Sequence, residues 1–245
     1  MSPPVWVAGV DGCPAGWLLV LRAIDGHVPP QARIVPSFAE IVGLPEAPRV
    51  IAVDMPIGLP ERVGIGGRLP DIEARKVLGE RRSSVFAVPA RAAVMQDDYR
   101  TACAAALAHS DPPRKVAKQT FNLFPRIREI DALMTPALQD RVFECHPEVA
   151  FWAMNGEQPL TLAKKVKSRP HPPGLDLRRT LLAAQGFPET FLRETTFRAS
   201  AAGPDDFLDA CACTWTAARV LAGKARTFPE APPRDGKGLR QEIKA

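Results

Sequence analysis

The stretch Val5-Trp6-Val7-Ala8-Gly9-Val10-Asp11-Gly12-Cys13-Pro14-Ala15-Gly16-Trp17-Leu18-Leu19-Val20-Leu21 decides the fold. Val5 to Val10 is an unbroken apolar run that stops at Asp11, the pattern of a central strand buried on both faces. Gly12 to Gly16 is a turn by composition, and Trp17 to Leu21 is a second apolar run, so the pair reads as a β-hairpin. Ala32 to Val35 reads as a third strand. Ser37 then offers a helix N-cap with Glu40 three residues on, a capping box that opens a short helix to about Leu44. Arg49 to Val53 is a fourth strand ending in Asp54, and Pro56, Gly58 and Pro60 prevent its continuation.

Three consecutive strands, a helical crossover and another strand do not alternate as a Rossmann domain does. They predict an α/β fold of the RNase H-like kind: a mixed sheet of three antiparallel strands and then parallel strands, with helices on both faces. Further along, Glu61 to Asp140 is mostly helix and loop, with helical spacing at Asp71–Glu80, Asp97–His109 and Pro125–Leu133. Arg141 to Cys145 is a short strand that delivers Glu144, and further helices with Pro/Gly breaks lie between Pro147 and Phe197. Pro204 to Leu221 is the last strong helix, with Asp205 placed to cap it and Phe207, Leu208, Cys211, Trp215 and Ala218 on one face. The tail from Thr227 is polar and Pro-rich, with Gly238-Leu239 leading towards an edge strand. The chain shows no internal repeat and no clear linker. It reads as one domain over 1–245, with helical insertions at about 61–139 and 147–203.

Composition narrows the class. A chain of 245 residues, 46% hydrophobic and 24% charged, is long enough for a full core and ordinary for a soluble globular protein. No apolar run approaches the roughly 20 residues of a membrane helix, and the N-terminus lacks the pattern of a signal peptide. The expectation is a cytoplasmic protein with no membrane partner. Five cysteines, an odd number without a CxxC pair, read as reduced thiols, with Cys211 and Cys213 as small core residues. A net charge of +5 permits a polyanionic partner without demanding one.

The chemistry lies in the acids. Asp11, Asp54 and Glu144 each stand at or beside the end of an apolar run, and Asp205-Asp206-x-x-Asp209 opens the last helix. A carboxylate is costly inside a strand and useful at its lip. Neighbouring strands would bring the first three together at one sheet edge, and Asp206 and Asp209, three apart on a helix, face the same way. Gathered carboxylates repel and hold their protons unless a cation sits among them. Hard oxygen ligands select Mg²⁺ or Mn²⁺, and a pair of such ions stabilises the attacking and leaving oxygens of phosphoryl displacement. Taken singly, Asp11 and Asp54 also read as turn residues and Asp205 as an N-cap.

Several segments carry a resemblance over nearly the whole chain: Gly9-Val10-Asp11-Gly12-Cys13-Pro14-Ala15-Gly16-Trp17, Val53-Asp54-Met55-Pro56-Ile57-Gly58-Leu59-Pro60, Glu144-Cys145-His146-Pro147-Glu148 and Asp205-Asp206-Phe207-Leu208-Asp209-Ala210. Arg75, Arg81-Arg82-Ser83-Ser84-Val85-Phe86, Lys118-Gln119 and Gly238-Leu239 extend it. Together they resemble the DUF429 family of predicted RNase H-like nucleases, and the closing Asp-x-x-Asp-Ala is similar to the last-helix acids of RuvC-type resolvases. The resemblance implies a metal-dependent nuclease, with Asp11, Asp54, Glu144 and Asp209 as ligands to Mg²⁺ or Mn²⁺ and Asp206 as a fifth acid. His146 would serve as a general acid or base, though a strand-end histidine bonded to its neighbours fits as well.

Two basic clusters, one of Arg75, Lys76, Arg81, Arg82, Ser83 and Ser84 and one of Lys164, Lys165, Lys167 and Arg169, with Arg178 and Arg179 after it, would form a phosphate-binding cap or simply a solvated face. Arg75, Arg81, Arg82, Ser84, Lys118 and Lys165 are the candidate substrate contacts. Aromatics at 7% argue against an extended single-strand stacking platform. The expected function is metal-dependent phosphodiester hydrolysis with nucleic acid as partner. The competing readings are a nucleotide phosphohydrolase or phosphotransferase of the actin-like ATPase type, whose second phosphate hairpin is missing here, and a nucleic-acid-binding protein without catalysis.

Overall fold

The computed structural model describes residues 3–245. In chain order its elements are β1 (Trp6–Cys13), β2 (Gly16–Ala23), β3 (Gln31–Val35), α1 (Phe38–Val42), β4 (Val50–Val53), α2 (Leu69–Val77), α3 (Arg91–Val94), α4 (Tyr99–Ala108), α5 (Lys118–Phe121), α6 (Phe124–Leu133), β5 (Val142–Glu144) and α7 (Pro147–Met154). A small hairpin of β6 (Lys165–Val166) and β7 (Arg169–Pro170) follows, then α8 (Pro172–Ala184), α9 (Glu189–Glu194), α10 (Pro204–Leu221), β8 (Thr227–Phe228) and β9 (Ile243–Lys244). The main sheet has the order β3-β2-β1-β4-β5. β2 runs antiparallel to both β1 and β3, and β4 and β5 continue parallel to β1. This is the RNase H-like fold that the opening strands predict.

Side-chain alternation in each strand sorts the core into two layers. Trp6, Ala8 and Val10 of β1, Ile51 and Val53 of β4, and Val142 of β5 pack with α1, α3, α4 and α6 on one face. Val7 and Cys13 of β1, Val50 and Ala52 of β4, Phe143 of β5 and Cys145 just after it pack with α7, α8, α9 and α10 on the other. Helix α10 lies directly on β1 because Gly9 has no side chain. A Cβ there would meet the Thr214 amide nitrogen at 2.1 Å and the Ala210 carbonyl oxygen at 2.2 Å. The Thr214 hydroxyl also ties α10 to β2, donating to the Val20 carbonyl at 3.2 Å.

Some boundaries differ from the sequence reading. Asp11 does not end its strand: the ladder runs on through Asp11 opposite Leu18 and closes at Cys13 opposite Gly16, because the hairpin turn is tight. The helix expected over Asp71–Glu80 ends at Val77 and gives way to a 3₁₀ segment, Gly79–Ser84. Asp205 does not cap α10. Gly203 is the N-cap, and Asp206 Oδ2 accepts from its N–H at 2.8 Å. The polar tail adds no edge strand to the main sheet: β8 and β9 pair with each other, and Lys244 makes a single bridge to Cys145. Leu239, Ile243 and Ala245 are buried, and Asp235 anchors the tail by accepting from the Leu59 N–H and pairing with Arg91. All five cysteines are free and buried. Among the described residues no helix is long and apolar enough to cross a membrane.

Candidate metal centre

Asp11, Asp54 and Asp209 are brought together, each offering an oxygen within 4.8 Å of the others. Three features of the chain place them. Asp11 shares the alternation of Val7 and Cys13 and so faces α10. Asp54 follows β4 with the alternation of Val50 and Ala52, its N–H still on the β1 ladder at 2.9 Å from the Val10 carbonyl. Asp209 sits in the second turn of α10, on the stretch that Gly9 admits against β1. The Lys164 ammonium, just before β6, bonds Asp209 Oδ2.

Glu144, expected as a fourth ligand, is not part of this group. In the parallel β4/β5 register it pairs with Val53, so it faces the opposite layer from Asp54. There both its oxygens are occupied. Arg68 donates to Oε1 at 2.6 Å and to Oε2 at 2.9 Å, and the Ile57 N–H donates to Oε2 at 2.7 Å. Arg68 also grips Asp71 at 2.8 Å and the carbonyls of Ile57 and Gly58. One step beyond the end of β5, level with Asp54, stands Cys145, whose thiol bonds Thr216 of α10. The acid returns to the α10 side with Glu148 in the first turn of α7. Glu148 is 4% exposed, its Oε1 bonds the fully buried Arg178, and its Oε2 has no partner. Asp209 Oδ1, in a residue 2% exposed, also has none.

The electrostatics follow from this crowding. Burial first, and then the Asp54 and Asp209 charges, hold the Asp11 carboxyl well above its ordinary value. Burial also raises Asp54 and Asp209, each to about 6, against the lowering effect of Lys164; Glu148 pushes both up, and Asp54 adds to Asp209. Burial would depress the Lys164 ammonium, but Asp209, Asp11 and Glu148 outweigh it and raise its pKa.

Residues 9–234 match a family described as "Protein of unknown function (DUF429)". The chain belongs to the DUF429 family. No curated protein and no solved structure matches it.

The remaining candidate residues of this DUF429 chain divide by contact. Asp206 neighbours the triad but is tied to the Gly203 amide. Lys165 pairs with Asp205 at 2.6 Å. His146 lines a small cleft together with Asp54, its Nε2 3.3 Å from the Ser84 carbonyl and its Nδ1 buried without a partner. Burial lowers the pKa of its ring. Ser84 thus meets the site through its backbone, while its hydroxyl donates to the Arg81 carbonyl at 2.8 Å. Arg82 is exposed and Arg81 half-buried on the same 3₁₀ segment. Arg75 is structural, donating to the carbonyls of Val85 and Gly66 at 2.8 and 2.6 Å. Lys118 lies over the rings of Tyr99 and Phe121, and no contact ties it to the carboxylates.

Sequence reading passed over Glu148, Lys164 and Arg178 as parts of the centre. Glu148 had a signal: Pro147 marks a first helical turn, so an acid beside it sits at the strand lip.

Proposed function

We propose that this DUF429 chain is a divalent-metal-dependent hydrolase of phosphodiester bonds acting on nucleic acid. The observation that carries the reading is the triad of Asp11, Asp54 and Asp209, within 4.8 Å of one another beside buried carboxylate oxygens that lack partners. Buried acceptors without partners are costly, and crowded carboxylates are costlier still, so the arrangement calls for a cation. Hard oxygen donors suit Mg²⁺ or Mn²⁺. Asp11, Asp54 and Asp209 would hold the ion, which when bound supplies Lewis-acid activation of water and charge neutralisation at phosphate.

The chain's own groups would do the rest. With Nε2–H directed at the Ser84 carbonyl, His146 Nδ1 carries a free lone pair, and the lowered pKa keeps the ring neutral near pH 7. His146 is therefore suited to accept a proton beside Asp54. Arg81 and Arg82 form a basic rim that, with the net charge of +5, favours a polyanion. Five reduced thiols accord with the cytoplasm.

The test is cleavage of labelled single-stranded, duplex and branched DNA and RNA, and of free nucleotides, with Mg²⁺ or Mn²⁺, beside Asp11→Asn. Metal-dependent cutting of polymer that vanishes in the variant is expected. Cutting of free nucleotide alone would move the reading to a nucleotide phosphohydrolase, and no cutting of any substrate would contradict it.

A further inference from the structure

We infer that Lys164 is a built-in cation of this centre, and that Asp11, Asp54 and Asp209 are completed by a single divalent ion and not by a pair. The inference rests on the metal-site reading above and specifies its stoichiometry.

The first support is how Lys164 is held. A lysine from a basic surface run would be free to swing, but the backbone beneath this one is clamped by the start of α8. Arg178 donates to the Leu162 carbonyl at 3.0 Å. The His171 ring Nδ1 lies 3.0 Å from the Ala163 carbonyl, and the His171 N–H donates to the Lys164 carbonyl at 2.9 Å. Gly174 packs so closely that a Cβ would stand 1.9 Å from the Ala163 oxygen. The segment is thus seated on α8, and its ammonium is delivered to Asp209. Arg178 serves two ends at once, holding this backbone with one nitrogen and Glu148 with another.

The second support is charge. The three carboxylates of the triad share one cation, Lys164, while Glu148 is neutralised by Arg178. Two negative charges remain, which is the charge of one divalent ion. Of the nearby acids, Asp205 is paired with Lys165, and Asp206, whose charge still reaches Asp11 and Asp54, is held outside the triad by the amide at the start of α10.

The third support is the donor set. Lys164 occupies Asp209 Oδ2 and Arg178 occupies Glu148 Oε1. Asp209 Oδ1 remains, buried and unpartnered, with the oxygens of Asp11 and Asp54 alongside, and Glu148 Oε2 is a further unpartnered acceptor outside that triad. That is a set for one six-coordinate ion with water filling the rest. A second ion bound at Asp209 Oδ2 would have to displace the ammonium.

The experiment is Mn²⁺ titration of the full chain, followed by calorimetry and by electron paramagnetic resonance of free Mn²⁺, on wild type, Lys164→Met and Lys164→Arg. The expected result is one ion per chain in wild type and in Lys164→Arg. Lys164→Met should take a second ion, or bind the first at least about tenfold more tightly, because a neighbouring positive charge is gone. Two ions in wild type would overturn the inference and leave the metal-site reading intact. One ion with unchanged affinity in Lys164→Met would also overturn it, since the lysine would then be no part of the centre. No ion in wild type would overturn the metal-site reading and the inference together. If Lys164→Met does not fold, the wild-type count alone separates one ion from two.

Discussion

Two groups of buried acids lie near the C-terminal ends of β4 and β5, on opposite faces of one sheet, and they are built to opposite rules. Around Arg68, two carboxylates share one guanidinium, and backbone groups complete the network. No side-chain atom of Arg68, Asp71 or Glu144 is buried without a partner. Around Lys164, more carboxylates gather than the local cations balance, and Asp209 and Glu148 each keep an oxygen unpartnered. The first group is finished by the chain itself, as structural ion networks are. The second is finished only by something added. Buried acids alone do not mark a site, whereas acids gathered within ligand distance of one another with an oxygen left unpartnered point to one.

The comparison can be broken most severely at Arg68. Arg68→Met leaves Glu144 and Asp71 as buried charges without their cation, and urea unfolding should show a loss of about 3–5 kcal/mol. Asp11→Asn should do the reverse, keeping the fold while lowering metal-dependent hydrolysis by at least about 100-fold, more than loss of an outer-shell partner costs. A variant that unfolds would show that Asp11 serves stability, like the acids around Arg68.

Raised carboxyl pKa values are common to both groups, burial lifting Glu144 to about 7 against the pull of Arg68. Asp54 and Asp209 hold their protons to about pH 6 in the fold, above the ordinary carboxylate range of an unfolded chain. The folded state therefore binds more protons between about pH 4 and pH 6. Their contribution to metal-free stability is complete at the acid end of that window and is lost as pH rises through about 6. Unfolding curves of Asp54→Asn and wild type should diverge over this window by on the order of 2 kcal/mol, with the variant the more stable at pH 7.5. Mn²⁺ should close the gap. The smallest effect is expected at Arg82, exposed and outside both networks. Arg82→Ala should leave stability within ~0.5 kcal/mol, and should lower the salt slope of polymer binding by about one if this rim meets phosphate.

The sheet was legible because its signals are local. The apolar runs, the Gly12–Gly16 turn and the Ser37–Glu40 cap each occupy a few residues, and the five strands and α10 fall where those signals put them. Asp11 and Asp54 were legible for the same reason, as acids at the ends of such runs, and Asp209 by its helical spacing from Asp206. Glu144 was not, because its side of the sheet depends on register. Pairing with Val53 turns it to the face opposite Asp54, and a one-residue shift would have reversed that. Lys164 and Arg178 read as part of a phosphate-binding cap or a solvated face, since the clamp that seats them joins Ala163 to Gly174 and Arg178 to Glu148, contacts with no signature in the nearby sequence.

The most direct test of the difference between the two acid groups is the Mn²⁺-induced shift in melting temperature of wild type, Asp54→Asn and Glu144→Gln. Ligand that binds only the folded state must raise its stability. Wild type and Glu144→Gln should rise by the same increment, even though Glu144→Gln starts lower, and Asp54→Asn should not rise. No shift in wild type, or a shift kept by Asp54→Asn and lost by Glu144→Gln, would contradict the assignment of the metal to the α10 face.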